Sequence, residues 1–130
     1  MTVDNKGNIL LAGSVEDATV IRFLPNGVLD RSFGVDGIVD IVDWSIYETD
    51  AFYGQITNFA VQKDGGIIVT IDESPGVFFL ARLVNGEQDL SFGDGGATVL
   101  QSDVLTSSSL AIDANGQILV GEPALQRYNG

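Results

Sequence analysis

The hydrophobic positions of the chain fall in short runs, separated by turns such as Asn26 with Gly27 and Asp64 with Gly65. Asn-Gly and Asp-Gly pairs between apolar runs are the strongest local signal for β-hairpins, because a tight turn of the right twist needs positive φ. No stretch keeps the period of about 3.6 residues that an amphipathic helix requires. The pattern predicts an all-β chain with strands near residues 2–4, 8–13, 18–24, 38–43, 55–62, 66–72, 77–84, 97–101, 107–113, 117–121 and 124–128.

These strands belong to an internal repeat. Three similar segments each contain a glycine, and the glycines are 58 and 51 residues apart. A continuous apolar run follows each glycine, at residues 9–11, 67–69 and 118–120, and such runs are typical of strands covered on both faces. Each segment then reaches an arginine beside an apolar residue. The repeated positions are Gly7, Gly65 and Gly116 for the glycine, and Arg22, Arg82 and Arg127 for the arginine.

The first two units stay parallel beyond the arginine. Each has an Asn-Gly turn followed by a D-x-S-F-G segment, at residues 30–34 and 89–93, and the third unit stops before its copy. Four strands per unit and a period of about 50 residues suit a β-propeller blade. We therefore predict one repeat domain, a β-propeller-like array of about three four-stranded blades with the last lacking its outer strand. Its units are about 1–54, 55–106 and 107–130. A β-sandwich or β-solenoid is the alternative, although a sandwich does not require the same turn chemistry at matching places.

The ordered motifs resemble the delta-60 repeat family, a bacterial group whose units read D-G-K-I-L-V-A-G, then A-R-Y-x-x-x-G, then L-D-x-S-F-G-x-x-G. Residues 5–13, 21–23 and 29–34 carry the resemblance in the first unit, and residues 81–83 and 89–93 carry it in the second. The second unit departs from the pattern where the family has Ala-Gly, and the third unit is shorter. The resemblance covers nearly the whole chain and implies a propeller and a bacterial source. It implies no reaction, because the propeller fold hosts both enzymes and scaffolds.

Each of the first two arginines is followed by an aspartate, Asp30 after Arg22 and Asp89 after Arg82. An arginine within an apolar strand needs a partner, since an unpaired buried charge is very costly. We therefore predict two structural ion pairs. Arg127 has no such aspartate before the chain ends, so we expect it to be exposed, or to meet a carboxylate elsewhere in the chain or on a neighbouring chain.

The segment that joins the first two units differs from the repeat. It contains the chain's only tryptophan and four of its eleven aromatic residues, interleaved with carboxylates. Aromatic rings with carboxylates can stack on and hydrogen-bond a sugar or a cationic ligand. They can equally cover an open blade or form a subunit contact, and we expect one of these packing roles. The candidate ligand or interface residues are Trp44, Tyr47, Glu48, Asp50, Phe52 and Tyr53.

Composition narrows the chemistry further. The chain lacks histidine and cysteine, which removes the commonest general base, thiolate nucleophiles and the usual zinc sites. Its formal net charge of −12 disfavours nucleic acid and anionic membranes as partners. The Asp- and Gly-containing turns do not supply the roughly six oxygens of a calcium loop, so we expect no metal and no cofactor. No signal peptide or membrane-spanning run is visible, so the cytoplasm is the default expectation.

The predicted blades are too few to close a ring, and open sheets expose faces and edges. The chain is therefore either part of a longer propeller or a subunit of a homo-oligomer, and we expect a homodimer that supplies six blades. The expected function is that of a non-catalytic binding or structural module, with a protein or carbohydrate partner. The alternative is a carboxylate-dependent hydrolase that acts on a glycan.

Overall fold

The structure is a computed structural model that describes residues 1–14, 18–41, 55–74, 77–101, 109–121 and 125–129. Strands and turns make up these residues, so the all-β class is confirmed. The described part of the chain contains no helix with the length and apolarity needed to cross a bilayer. The strands are β1 (Thr2–Val3), β2 (Ile9–Ser14), β3 (Ala18–Phe23), β4 (Ile38–Ile41), β5 (Gln55–Val61), β6 (Ile67–Ser74), β7 (Val77–Val84), β8 (Glu87–Gln88), β9 (Ala97–Gln101), β10 (Ser109–Ile112), β11 (Ile118–Gly121) and β12 (Leu125–Tyr128).

The strands form three antiparallel sheets, and none of the sheets closes on itself. The first sheet has the order β1-β2-β3-β4, and the third has the order β10-β11-β12. The second sheet contains β5, β6, β7 and β9, with the short strand β8 also paired to β7. Every predicted strand is present, and β8 is the addition that the sequence pattern did not predict. It arises because the turn at Asn85 and Gly86 folds two more residues back onto the end of β7.

The hairpin turn at the start of each sheet explains the recurring glycine. In the first sheet Gly7 has a φ of +83°, a conformation that side-chain-bearing residues rarely adopt. The Oδ1 atom of Asp4 accepts the backbone N–H groups of Lys6 and Asn8 at 2.8 and 2.9 Å. Asp113 makes the same pair of contacts in the third sheet. The turn is therefore held by an aspartate at its first position and by a glycine that permits positive φ.

The second sheet departs from this scheme, because Gln62 stands where the other two turns have aspartate. The backbone N–H of Gly66 donates instead to Oδ1 of Asp64, at 2.9 Å. Gln62 is buried, and the described residues offer no hydrogen-bond partner to its Oε1 atom. An unsatisfied buried acceptor costs free energy, so we expect this turn to be the least stable of the three.

Adjacent residues of a strand point to opposite faces, so each sheet has two distinct faces. The forward face carries Leu10 in the first sheet, Ile68 in the second and Leu119 in the third, and the opposite face is the rear face. The forward face of each sheet packs on the rear face of the next. The first core joins Leu10, Ala18, Val20, Phe33, Val39 and Ile41 to Ile67, Val69, Ile71, Phe79, Ala81, Leu83 and Ala97, and the second joins Ile68, Phe78, Leu80, Phe92 and Leu100 to Ile118 and Val120.

Of the three sheets that the structure describes, the second alone packs against a neighbouring sheet on each side. Val69 is 0% exposed, whereas Leu11, at the same place in the first sheet, is 37% exposed. The expectation that all three apolar runs are covered on both faces is therefore wrong for the first sheet. The physical reason is that the first sheet has a partner on its forward face, and its rear face is open to solvent.

Candidate functional site

The first predicted ion pair joins β3 to the D-x-S-F-G segment that follows it. Arg22 Nε donates to Asp30 Oδ2 at 2.8 Å, and the guanidinium carbon lies 4.4 Å from the centre of the Phe33 ring. Ser32 holds the other carboxylate oxygen, because its backbone N–H and its hydroxyl donate to Asp30 Oδ1 at 3.1 and 2.6 Å. Arginine, aspartate, serine and phenylalanine thus form one unit, which we call the clasp.

The second sheet contains the same clasp, built from Arg82, Asp89, Ser91 and Phe92. Arg82 Nε donates to Asp89 Oδ2 at 2.8 Å, and Ser91 donates to Oδ1 through its N–H at 2.9 Å and its hydroxyl at 2.6 Å. The copies differ in one respect. Arg82 also donates a hydrogen bond from Nη2 to Asp89 Oδ2, whereas Arg22 donates to Asp30 only from Nε. The guanidinium of Arg82 lies 5.4 Å from the Phe92 ring centre.

The glycine that ends each clasp is required by a close backbone approach. Gly34 has a φ of +56°, and a Cβ atom there would lie 2.1 Å from the carbonyl oxygen of Ile38. Gly93 has a φ of +61°, and its Cβ would lie 2.1 Å from the carbonyl oxygen of Ala97. Both the conformation and the contact exclude a side chain, which explains why S-F-G recurs as a block.

The carboxylates of the clasps and of the first turn have lowered pKa values. Hydrogen bonds from the Ser91 hydroxyl and then from Arg82 lower the pKa of Asp89 to about 2. The Ser32 hydroxyl is the main cause of the lowered pKa of Asp30, and Arg22 adds to it. Burial opposes ionisation of Asp4, but the hydrogen bonds that it accepts from Asn8 and Lys6 lower its pKa overall. These carboxylates therefore stay ionised at neutral pH, which suits a structural partner of arginine.

The third arginine, Arg127, lies on β12 opposite Leu119 of β11, on the forward face of the third sheet. Its side chain is exposed, and the structure gives it no ion pair with any described residue. Arg22 and Arg82 hold the same position on sheets whose forward faces are covered. The exposure of Arg127 thus follows from the open forward face of its sheet.

A cleft of about 120 Å³ lies where the first sheet meets the second. Its lining includes Phe33 and Arg22 from the first clasp, with Ile67 and Leu83 from the second sheet. The hairpin turns of the two sheets and the turn before β8 complete the lining. These turn residues are Asp4, Asn5, Lys6, Lys63, Asp64, Gly65, Asn85 and Gly86.

Hydrogen bonds between the turns hold the sheets in order. Asn5 Nδ2 in the first turn donates to the carbonyl oxygen of Lys63 in the second, at 2.9 Å. Lys63 Nζ in turn donates to the carbonyl oxygen of Ala114 in the third, at 3.2 Å. The three residues occupy the same position of the repeated turn, so each sheet reaches forward to the next. The series ends at Ala114, whose side chain has no donor.

The sequence predicted one of the cleft's charged residues, Arg22, and missed Lys6 and Lys63. The turn pattern identifies them as turn residues but does not place two turns of different units side by side. The predicted connector residues Trp44, Tyr47, Glu48, Asp50, Phe52 and Tyr53 lie outside the described residues. Within the described ranges, no group of three or more acidic side chains is gathered in a way that could hold a metal ion.

Comparisons with protein-family models, with curated proteins and with solved structures find nothing that matches this chain. Membership of the delta-60 repeat family therefore stays a prediction that rests on the ordered motifs.

Proposed function

We propose that this chain is a non-catalytic, propeller-type module that extends its stack of sheets by head-to-tail association with a second copy. The observation that carries the proposal is the open rear face of the first sheet. The second sheet has the corresponding face covered by the forward face of the first. Because the rear face of the second sheet binds a forward face of the same repeat, the rear face of the first sheet is suited to the forward face of a second copy.

The two rear faces correspond strand by strand. On the second sheet the face is built from Val61, Ile67 and Val69 with Ala81, Leu83 and Ala97, which are buried or partly buried against the first sheet. The first sheet presents apolar residues at these six registers, and three of them have more than a third of their surface exposed. The hydrogen-bonded pair Thr19 and Asp40 lies on the same face, where the second sheet has Phe79 and Val99. An exposed apolar patch of this kind marks an interaction surface. The residues are Val3, Ile9, Leu11, Ile21, Phe23 and Ile38.

The forward face of the third sheet supplies the complementary surface. Leu119 and Arg127 lie there in the positions that Leu10 and Arg22 take on the first sheet. In a pair related by two-fold rotation, each copy would place this face on the open rear face of the other, and both open ends would be covered. Two chains would then supply six units, which falls within the range of about four to eight blades known for propellers. The resemblance to the delta-60 repeat family supports the propeller part of this proposal, because a propeller is what that resemblance implies.

Three of the described carboxylates, Asp4, Asp30 and Asp89, do not suit the glycan-hydrolase alternative. A glycosidase general acid needs a raised pKa, and the pKa values of Asp4, Asp30 and Asp89 are all lowered. Each of the three is also occupied by hydrogen bonds within its own turn or clasp.

Light scattering behind a sizing column, over a dilution series, tests the proposal. We expect the wild-type chain to have about twice its 13.8 kDa mass. Leu11→Lys places a charge on the open rear face and should give a monomer. Leu90→Lys is the matched control, because Leu90 is 70% exposed in the second clasp segment and outside the rear face, and it should remain dimeric. A wild-type chain that is monomeric at every concentration overturns the proposal, and so does a dimer that Leu11→Lys leaves intact.

A further inference from the structure

The outer edge of the third sheet differs from the corresponding edges of the other two. In the first sheet β4 pairs with β3, and in the second sheet β9 pairs with β7. The strand β12 takes the place of β3 and β7 in the third sheet, and no described strand pairs with its outer edge, which faces away from β11. An edge strand presents backbone N–H and C=O groups that can pair with another strand.

The backbone of the repeated arginine shows which groups this edge leaves open. The carbonyl oxygen of Arg22 accepts the N–H of Asp30 at 2.9 Å, and the carbonyl oxygen of Arg82 accepts the N–H of Asp89 at 2.9 Å. Arg127 holds the same position on β12, but the structure gives its carbonyl oxygen no such partner among the described residues. The D-x-S-F-G segment therefore makes a backbone contact in the first two sheets for which the third sheet has only the acceptor.

The charge at this edge is also complementary to that segment. Asp30 and Asp89 neutralise the arginines of their own sheets, and the phenylalanine of each segment lies beside the guanidinium. The side chain of Arg127 is exposed and has no ion pair with a described residue. A guanidinium in this position favours a partner that brings a carboxylate.

The segment of the second unit suits the third sheet better than that of the first. A strand added to β12 would have the second sheet behind it, as β9 has the first sheet behind it. On that face β9 has the small residue Ala97, which is 5% exposed, and then Val99. At the same places β4 has Ile38 and Asp40, and Asp40 would bring a charge against the second sheet.

We propose that the outer edge of β12 binds a separate polypeptide segment that carries the D-x-S-F-G sequence followed by a β-strand, with its aspartate paired to Arg127. In strand addition of this kind, main-chain hydrogen bonds provide affinity and side-chain contacts provide specificity. The two D-x-S-F-G segments of the chain are already bound to their own arginines, so the occupant comes from a partner. The proposal does not rest on self-association, because it uses the edge of the third sheet, and the first sheet combines a paired edge with a covered forward face.

A synthetic peptide with the sequence of residues 89–101 tests the proposal. We expect the labelled peptide to bind the full chain saturably, by fluorescence anisotropy, and a scrambled peptide of the same composition not to bind. In the ¹⁵N-labelled chain the amide of Arg127 should shift, and that of Val3, on the edge strand β1 of the first sheet, should not. The Leu11→Lys variant should bind the peptide as tightly as the wild type, which separates this result from the test of self-association.

A double-mutant cycle tests the pairing of Arg127 with the aspartate of the peptide. Arg127→Gln in the chain should weaken binding roughly ten-fold, and Asp89→Asn in the peptide should do the same, because each removes one charge-assisted contact. The two changes together should weaken binding little more than either alone, since both remove the same contact. Arg31→Gln is the matched control, because Arg31 is exposed in the first sheet, and it should leave the affinity unchanged.

Several results overturn the proposal. One is the lack of saturable binding of the wild-type peptide, and another is a scrambled peptide that binds as tightly. A third is a shift at Val3 that equals the shift at Arg127, and a fourth is binding that Leu11→Lys abolishes. Losses that multiply to about a hundred-fold in the double-mutant cycle overturn the assigned ion pair. The Arg127→Gln variant remains informative, because Arg127 has no ion pair with a described residue that its loss would break.

Discussion

Ile9 and Ile67 occupy the same position of the repeat, two residues after the turn glycine, but they lie in different surroundings. Ile67 is 3% exposed between the first and second sheets, whereas Ile9 is half-buried on the open rear face of the first sheet. The residue type is the same, and each isoleucine follows a turn with a positive-φ glycine, so neither feature explains the difference. The presence of a neighbouring sheet does, and the repeat thus separates the effect of a residue from the effect of its partner.

The largest expected effect tests this contrast directly. Ile67→Ala removes buried methyl groups from a packed core and should lower the free energy of unfolding by about 2–5 kcal/mol. Ile9→Ala should cost less than about half as much, because part of its side chain already meets water. Urea unfolding at low protein concentration measures both. Equal losses in the two variants would show that the rear face of the first sheet is covered in solution.

A second contrast concerns the turns that precede the two D-x-S-F-G segments. Gly27 and Gly86 have φ values of +82° and +81°, but a Cβ would meet nothing at Gly27 and would lie 2.4 Å from Gly34 N at Gly86. Both alanine variants carry the cost of positive φ, about 1–2 kcal/mol. Gly86→Ala should cost roughly a further 1–3 kcal/mol through overpacking against the first sheet. Thermal unfolding of the pair measures the difference, and equal midpoints would contradict the close packing of the Gly86 turn on the first clasp.

Acid unfolding distinguishes the two clasps. The pKa of Asp89 is about 2 in the folded chain and 3.8 without the fold, so its contribution is complete above pH 4 and is lost as the pH falls toward 2. Asp89→Asn removes that dependence, so its stability should fall less steeply than that of the wild type across this window. Asp30→Asn should change the pH dependence of stability less. Asp30 accepts a hydrogen bond from one nitrogen of its arginine, whereas Asp89 accepts hydrogen bonds from two. Denaturant midpoints measured at several pH values give the slopes, and a steeper fall for Asp89→Asn would contradict the sign.

The smallest expected effect concerns the turn of the second sheet. Gln62→Asp removes a buried acceptor without a partner and introduces the residue that holds the other two turns, so we expect a gain of about 0.5–1.5 kcal/mol. The reverse change, Asp113→Gln, should cost a similar amount in the third sheet. Denaturant unfolding measures both. A loss on Gln62→Asp would mean that the Asp64 contact to Gly66 already replaces the aspartate.

Much of the local structure could be predicted from the sequence, because it depends on neighbours along the chain. The positive-φ glycines, the hairpins and the arginine-to-aspartate spacing each involve contacts within one unit, and the strands and both clasps occur where the motifs place them. The strand β8 was missed since two residues after a turn produce no apolar pattern. The sequence also could not predict that Asp89 accepts hydrogen bonds from both Nε and Nη2 of Arg82, whereas Asp30 accepts one from Nε of Arg22. The two copies of the motif have nearly the same sequence, so the motif does not distinguish them.

The sequence by itself determined the all-β class, the turn chemistry and the internal ion pairs, because each follows from the preferences of nearby residues. Only the tertiary structure decided which faces are covered, and which turns of different units lie side by side. These features depend on residues from different units, and a repeated motif does not indicate whether another sheet lies beside it. The isoleucine at one position of the repeat is therefore in the core in the second unit, as Ile67, and half-buried in the first, as Ile9.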